Sequence, residues 1–266
     1  MDKKMKPVAI ASHRPPANIL KRWLTAEGRD IGKHRLLLLK ETDGTRASLL
    51  GELRDLLRSH YVSPDVMARR LADLGAPKTA ALLNEHTPIT KKARSGDIGE
   101  ILATEVVESH LAYKVPVRRL RWKDGREMAL RGDDIVGLAR GEENKLKFLK
   151  GESKSRAVLS TSVVDEAIGS LARNGGRPSR HSVLFVAERL REQGNDELAK
   201  NLEEAVLHSF RSCTVEHCLF VLTGNNPENF LRPYLEARRT KRRRRHAVGV
   251  RINDHGDFID TLYGGF

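Results

Sequence analysis

The sequence of 266 residues predicts an α/β domain preceded by a mainly helical extension. Three observations carry this reading. Residues 98–111 have helical spacing and are followed by strand-like stretches separated by turn residues, after which helix and strand alternate again, as in layered α/β domains. Asp124-Gly125 and the polar stretch 141–144 supply the turns between the strands. Upstream, residues 47–60, 64–74 and 77–85 read as helices. The boundary this implies falls between an extension over residues 1–94 and a domain over 95–266.

In chain order, residues 1–18 form a basic, proline-containing lead-in, 19–26 a helix and 35–40 a short strand. Leu49, Leu50, Leu53, Leu56 and Leu57 make one apolar stripe of the next helix. Ser63-Pro64-Asp65 starts another, with serine at the cap and proline in the first turn. The helix pair around Gly75-Ala76-Pro77 fits a packing unit better than a DNA-reading helix-turn-helix. Residues 87–94 connect, and Ser95-Gly96-Asp97 caps the helix over 98–111. Three strands are expected next, over 115–122, 128–138 and 145–154, then helices over 160–174, 182–193 and 196–210. A strand at 218–223, a helix to about residue 239, a strand at 247–252 and a short closing helix complete the chain.

Lysine and arginine number 48 against 35 acidic residues, a formal net charge of +13, which points to a polyanionic partner, most commonly nucleic acid. No apolar run reaches the ~18 residues of a membrane helix, and no apolar signal region follows the basic N-terminus. A soluble cytoplasmic protein without a membrane partner is therefore expected. Cys213 and Cys218 flank only four residues and have no second pair, so free thiols are expected. Gly175-Gly176-Arg177-Pro178 lacks the Gly-Lys-Ser/Thr of a phosphate loop, which excludes an intrinsic Walker-type ATPase.

The chemistry concentrates between Gly132 and Lys154. Side chains alternate along a strand, so Leu146, Phe148, Lys150, Glu152 and Lys154 are expected on one face. On the preceding strand Leu130, Asp134, Val136 and Leu138 share a face, while Asp133 points away with Arg131 and Ile135, which selects Asp134. Glu100 heads an apolar helical stripe continued by Ala103, Val107 and Leu111, and a carboxylate there needs a metal, a lysine or a backbone donor. Asp134, Glu152 and Glu100 would hold an oxygen-liganded Mg²⁺ or Mn²⁺ that neutralises a phosphodiester and acidifies a water. Lys154 would orient or deprotonate that water, or stabilise the charge that develops. The competing reading is a solvated Glu/Lys ion pair.

At these residues the chain resembles a known group. Gly-Asp-Ile-Gly-Glu on a helix, Gly-x-Asp and then Glu-x-Lys on consecutive strands, and a helix near Asp165-Glu166-Ala167-Ile168 are similar to the PD-(D/E)xK nuclease superfamily. More narrowly, Gly-Glu-Ser-Lys with the upstream Gly-Asp-Ile-Gly-Glu-Ile-Leu resembles the HamA effectors of the Hachiman anti-phage defence system. The resemblance spans residues 95–172 well. It implies a restriction-endonuclease-like core, a mixed sheet flanked by helices, and a divalent-metal DNA endonuclease. Glu100, Asp134, Glu152 and Lys154 then occupy the motif positions, and a superfamily 2 helicase of the HamB kind restrains the nuclease until DNA engages it. The superfamily's proline before the aspartate is replaced by Asp133.

Arg238, Arg239, Lys241, Arg242, Arg243, Arg244 and Arg245 form the densest charge run. They are candidates for tracking DNA phosphates, against the alternatives of a solvated helix end or an acidic partner surface. A second functional class stays open: a non-catalytic, basic DNA-binding or adaptor subunit in which the carboxylate motif is incidental.

Overall fold

The computed structural model of the protein describes residues 19–141 and 144–264. The expected lead-in over 1–18, and part of the turn at 141–144, lie outside them. The chain begins with α1 (Ile19–Trp23), β1 (Leu24–Ile31) and β2 (His34–Glu41). Four helices follow: α2 (Thr45–Tyr61), α3 (Pro64–Leu74), α4 (Ala76–His86) and α5 (Lys91–His110). A 3-10 turn (Arg119–Trp122) leads to β3 (Ile135–Arg140), β4 (Leu146–Arg156) and α6 (Thr161–Ala172). The chain then forms α7 (Arg180–Glu192), α8 (Asp196–Leu207), β5 (Thr214–Thr223), α9 (Glu228–Glu236), β6 (Arg245–Arg251) and α10 (His255–Tyr263).

These elements build a mixed α/β fold around one six-stranded sheet of order β1-β2-β6-β5-β4-β3. The four inner strands run parallel, and the outer strands β1 and β3 pair antiparallel with their neighbours. Parallel strands covered on both faces read as continuous apolar runs, and Cys218, Leu219, Phe220, Val221 and Leu222 of β5 are all buried. One face packs against α2, α5 and α10, bringing Leu53, Ile101 and Phe258 together with Leu149, Phe220 and Val248. On the other face, Val164 of α6 and Leu231 of α9 cover Leu219, Val221 and Ala247. The α7–α8 pair covers Val136, Leu138 and Phe148 beside them. Among the described residues no helix is long and apolar enough to cross a membrane.

The sheet draws on both sides of residue 95, because β1 and β2 come from the segment read as a mainly helical extension. The expected helix over 19–26 ends at Trp23, where β1 begins. β1 is mostly exposed and carries Glu27, Arg29 and Asp30, as suits an edge strand held by backbone pairing, and so has no alternating apolar signal. The helix expected over 98–111 starts about two turns earlier, at Lys91, so Ser95-Gly96-Asp97 lies inside it rather than at its cap. Thr90 is its cap, its hydroxyl accepting from Ala93 N, and Glu127 takes the N–H groups of Ile89 and Thr90.

The expected three-strand meander does not form. Residues 115–122 make no strand, because side chains take up their backbone groups: Glu108 accepts from Val115 N, and Arg118 donates to Val115 O. Only the Lys114–Leu138 bridge and the 3-10 turn remain there. The second strand begins at Ile135 rather than near residue 128. Arg119 donates to the carbonyls of Arg131 and Asp133, and Ser182 Oγ takes Asp133 N, which removes these groups from any ladder.

Candidate active site at the open edge of β4

β4 outruns its neighbour. β3 pairs with Leu146–Gly151 only, whereas β5 follows β4 to Arg156. Residues 152–156 therefore have a partner strand on one side and an open edge on the other. Asp134, immediately before β3, lies beside that edge and accepts the N–H of Ser153 on Oδ2 at 2.8 Å. Glu152 and Lys154, two residues apart on β4, share a face, and Lys154 Nζ lies 3.0 Å from Glu152 Oε1. The same ammonium lies 2.9 Å from Oε1 of Glu166 on α6.

Glu100 arrives from the opposite face. A Cβ added to Gly99 would stand 3.0 Å from Ser153 Oγ and 3.2 Å from Ser155 Cβ, so glycine lets α5 lie directly on β4. That approach carries the next residue, Glu100, to the strand edge, where it is partly buried. Burial and the charge of Asp134 push the Glu100 carboxyl well above the usual carboxylate range. Burial and the charge of Glu152 push Asp134 in the same direction. Arg119 pulls both down without cancelling the rise. Two carboxylates in this position titrate as a unit and resist losing both protons.

One turn before Glu100, Asp97 anchors α5. Its carboxylate accepts from Tyr61 Oη at 2.7 Å and from Lys123 Nζ at 2.9 and 3.0 Å. Tyr61 also shares a 2.7 Å hydrogen bond with Tyr263 of α10, so three helices and the loop after the 3-10 turn meet behind Glu100. Sequence reasoning did not place Asp97, Arg119, Lys123 or Glu166 in the site, although it named Asp97 as part of a cap and Glu166 in the helix after the Glu-x-Lys strand. Asp97 had a signal, three residues before Glu100 in Gly-Asp-Ile-Gly-Glu, and Glu166 stood in the quoted Asp165-Glu166-Ala167-Ile168 helix, whereas Arg119 and Lys123 approach only through tertiary folding.

Strand alternation does not separate Asp133 from Asp134, contrary to the expectation from sequence. Both precede β3, and Asp133 does not follow Ile135 into the core. Asp133 faces α7 instead: Oδ2 accepts Ser179 N at 2.6 Å and Oδ1 lies 3.4 Å from the buried Lys150 Nζ. Its carboxylate is thus committed to the fold. The carboxylate beside Glu152 and Glu100 is that of Asp134.

The basic run is not part of this cluster. It leads into β6, whose first residue Arg245 is level with Lys150 through His217, and Glu152 and Lys154 lie further along β4. Arg238 donates to Tyr234 O and lies over its ring, Arg243 donates to Gly176 O at 2.8 Å, and Arg245 donates to Arg243 O. Arg239, Lys241, Arg242 and Arg244 are exposed. Cys213 and Cys218 are free thiols, and burial pushes Cys218 up to about 12. The nearby His217 is bonded to Gly176 O, a structural role.

Among the described residues no group of three or more His, Cys, Asp and Glu side chains is arranged to hold a metal ion. The donor chemistry nevertheless fits a hard divalent cation. Asp134 lies within electrostatic reach of both Glu100 and Glu152, oxygen donors of the kind a hard cation takes, and the buried Ser153 Oγ beside Asp134's hydrogen bond has no partner.

The HamA family model matches residues 18–264. The Hachiman protein HamA of Bacillus cereus is 31% identical over 113 residues, which is 42% of this chain and 39% of that relative's length. With the family match running nearly from end to end, the chain belongs to the HamA family.

Proposed function

We propose that this chain is a divalent-metal-dependent DNA endonuclease, the effector of a bacterial anti-phage defence system, restrained and released by a superfamily 2 helicase partner. The observation that carries the reading is the meeting of Glu100, Asp134 and Glu152 at an open strand edge with Lys154 beside them. Burial first, and a neighbouring carboxylate second, disfavour the anionic forms of Glu100 and Asp134, and a divalent cation would offset that cost. The fold supports a restriction-endonuclease-like reading: a mixed sheet between helices, with the acidic residues around one antiparallel pair.

Asp134 and Glu152 would hold the cation, with Glu100 completing or orienting its ligands. When bound, the cation would neutralise the phosphodiester and lower the pKa of a coordinated water. The chain supplies the rest. Burial pulls the Lys154 ammonium down, but hydrogen bonds and charge from Glu166 and Glu152 outweigh it, so Lys154 stays protonated. A protonated lysine orients water and stabilises phosphoryl charge rather than acting as the base. The exposed Arg239, Lys241, Arg242 and Arg244 would track the DNA backbone away from the cleavage point.

Plasmid nicking with Mg²⁺ or Mn²⁺, with and without the helicase, tests this reading. Cleavage is expected to stop in EDTA and in Glu152→Gln. Metal-independent cleavage, or wild-type cleavage by Glu152→Gln, would overturn it. A second reading, a non-catalytic DNA-binding subunit, draws on the four exposed cations and the lack of a three-ligand cage among the described residues. It predicts salt-sensitive binding and no turnover with any metal or partner.

A further inference from the structure

We infer that Glu166 is a positioning residue of this site: it shares the Lys154 ammonium with Glu152, so that Glu152 can release that ammonium and accept a divalent cation. The inference rests on the metal-site reading above and adds a residue to it.

The geometry begins with α6. Val164, Ala167 and Leu171 seat the helix on the sheet, and Glu166, next to Ala167, stands at the border of that interface. From there Oε1 reaches Lys154 Nζ at 2.9 Å, while Glu152 Oε1 reaches it at 3.0 Å. The ammonium is held almost evenly between a strand carboxylate and a helix carboxylate. The environments of the two anions differ. The side chains of Glu152 and Lys154 are each 14% exposed, whereas that of Glu166 is 59% exposed.

The asymmetry bears on cation entry. A cation that takes Glu152 Oε1 would displace the ammonium that lies 3.0 Å from it. With Glu152 as its only anion, Lys154 would be left as an unpaired, largely desolvated charge, which is costly. Glu166 removes that cost by retaining the ammonium as it leaves Glu152. Lys154 then pivots at the open strand edge and stays where a phosphate would arrive. Arg156 and Arg173 also act on Glu166, and Asp134 acts on Lys154's surroundings from the open edge, but neither arginine is paired with Glu152. An exposed ion pair of purely structural use would contribute little and would leave cation binding untouched.

The test is Mn²⁺ binding by the full chain, followed by electron paramagnetic resonance, in wild type, E166Q, K154M, the E166Q/K154M double variant and D165N. Asp165 is exposed and adjacent, so D165N removes the same charge without touching Lys154. E166Q is expected to weaken Mn²⁺ binding about five- to tenfold, a coupling of the size found between neighbouring residues. D165N is expected to leave binding unchanged, and E166Q to have no further effect once K154M is present. Equal binding by wild type and E166Q overturns the inference, as does equal weakening by D165N or persistence of the effect in K154M. If wild type binds no Mn²⁺, or E152Q binds it as well as wild type, the metal-site reading itself fails and takes the inference with it.

Discussion

Ser153 donates its backbone N–H to Asp134 Oδ2 at 2.8 Å, beyond the last β3–β4 pair, Ile135 with Gly151. A side chain thus takes the hydrogen bond that a longer β3 would have supplied. The strand edge stays satisfied yet open, and the aspartate is held level with Glu152.

Removing either member of the Glu152–Lys154 pair should abolish cleavage and leave the fold. Glu152→Gln and Lys154→Met are each expected to lower plasmid nicking by about 10²-fold or more, the scale on which removing one transition-state interaction acts. Far-UV circular dichroism should match wild type. A variant that nicks at the wild-type rate removes its residue from the site.

Glu100 and Asp134 should make stability fall as pH rises. Their carboxyls are raised in the folded state, so above about pH 4 the folded protein retains protons that the unfolded chain has released. Unfolding free energy therefore declines from there up through the raised folded values. His60, buried and lowered to about 4, acts oppositely below its ordinary value, so the comparison must be with Glu100→Gln. Urea unfolding across pH should show wild type losing stability relative to Glu100→Gln, and Mn²⁺ restoring it at the alkaline end. Parallel pH curves for the two proteins would show that Glu100 is not raised.

Asp133 and Asp134 should separate by phenotype. Lys150 is buried, paired with Asp133 and bonded to Arg173 O, so Lys150→Met leaves the buried Asp133 carboxylate without its cation. Breaking such a pair costs about 3–5 kcal/mol, readable as a lower urea midpoint. Asp134→Asn should instead keep or raise the midpoint at neutral pH, because it removes a carboxyl raised in the folded state, while removing cleavage. The opposite pattern would exchange the two roles.

Replacing Arg239, Lys241, Arg242 and Arg244 together by alanine should weaken DNA binding without unfolding the protein, because all four are exposed. For every phosphate that is no longer neutralised, the slope of log affinity against log salt should become shallower by about 0.9. Fluorescence anisotropy at several salt concentrations measures this. An unchanged slope would assign the run to another partner. Arg243 stands apart, since its guanidinium braces the Gly175 and Gly176 carbonyls.

Much of the α/β reading was local and therefore legible. Helices announced themselves by apolar spacing and by caps such as Ser63, and the buried parallel strand β5 by its unbroken apolar run. β1 was not legible, because an exposed edge strand is specified by the neighbour it pairs with. Residues 115–134 misled for a related reason. Val115, Val117, Leu120, Trp122, Met128 and Leu130 are spaced as strands would be, but Arg118, Arg119, Glu108 and Ser182 consume backbone groups of the stretch.

For the site, the sequence by itself determined which residue types stand at which spacing: Glu152 and Lys154 two apart on a strand, an aspartate pair upstream, and Glu100 on a buried helix. Spacing of two on a strand needs no partner to put side chains on one face. Which aspartate faces Glu152, how closely α5 approaches through Gly99, and that Glu166 reaches Lys154 were decided only by the tertiary structure. Those relationships join residues from different elements, and their distances follow from packing and strand length, which no local pattern encodes.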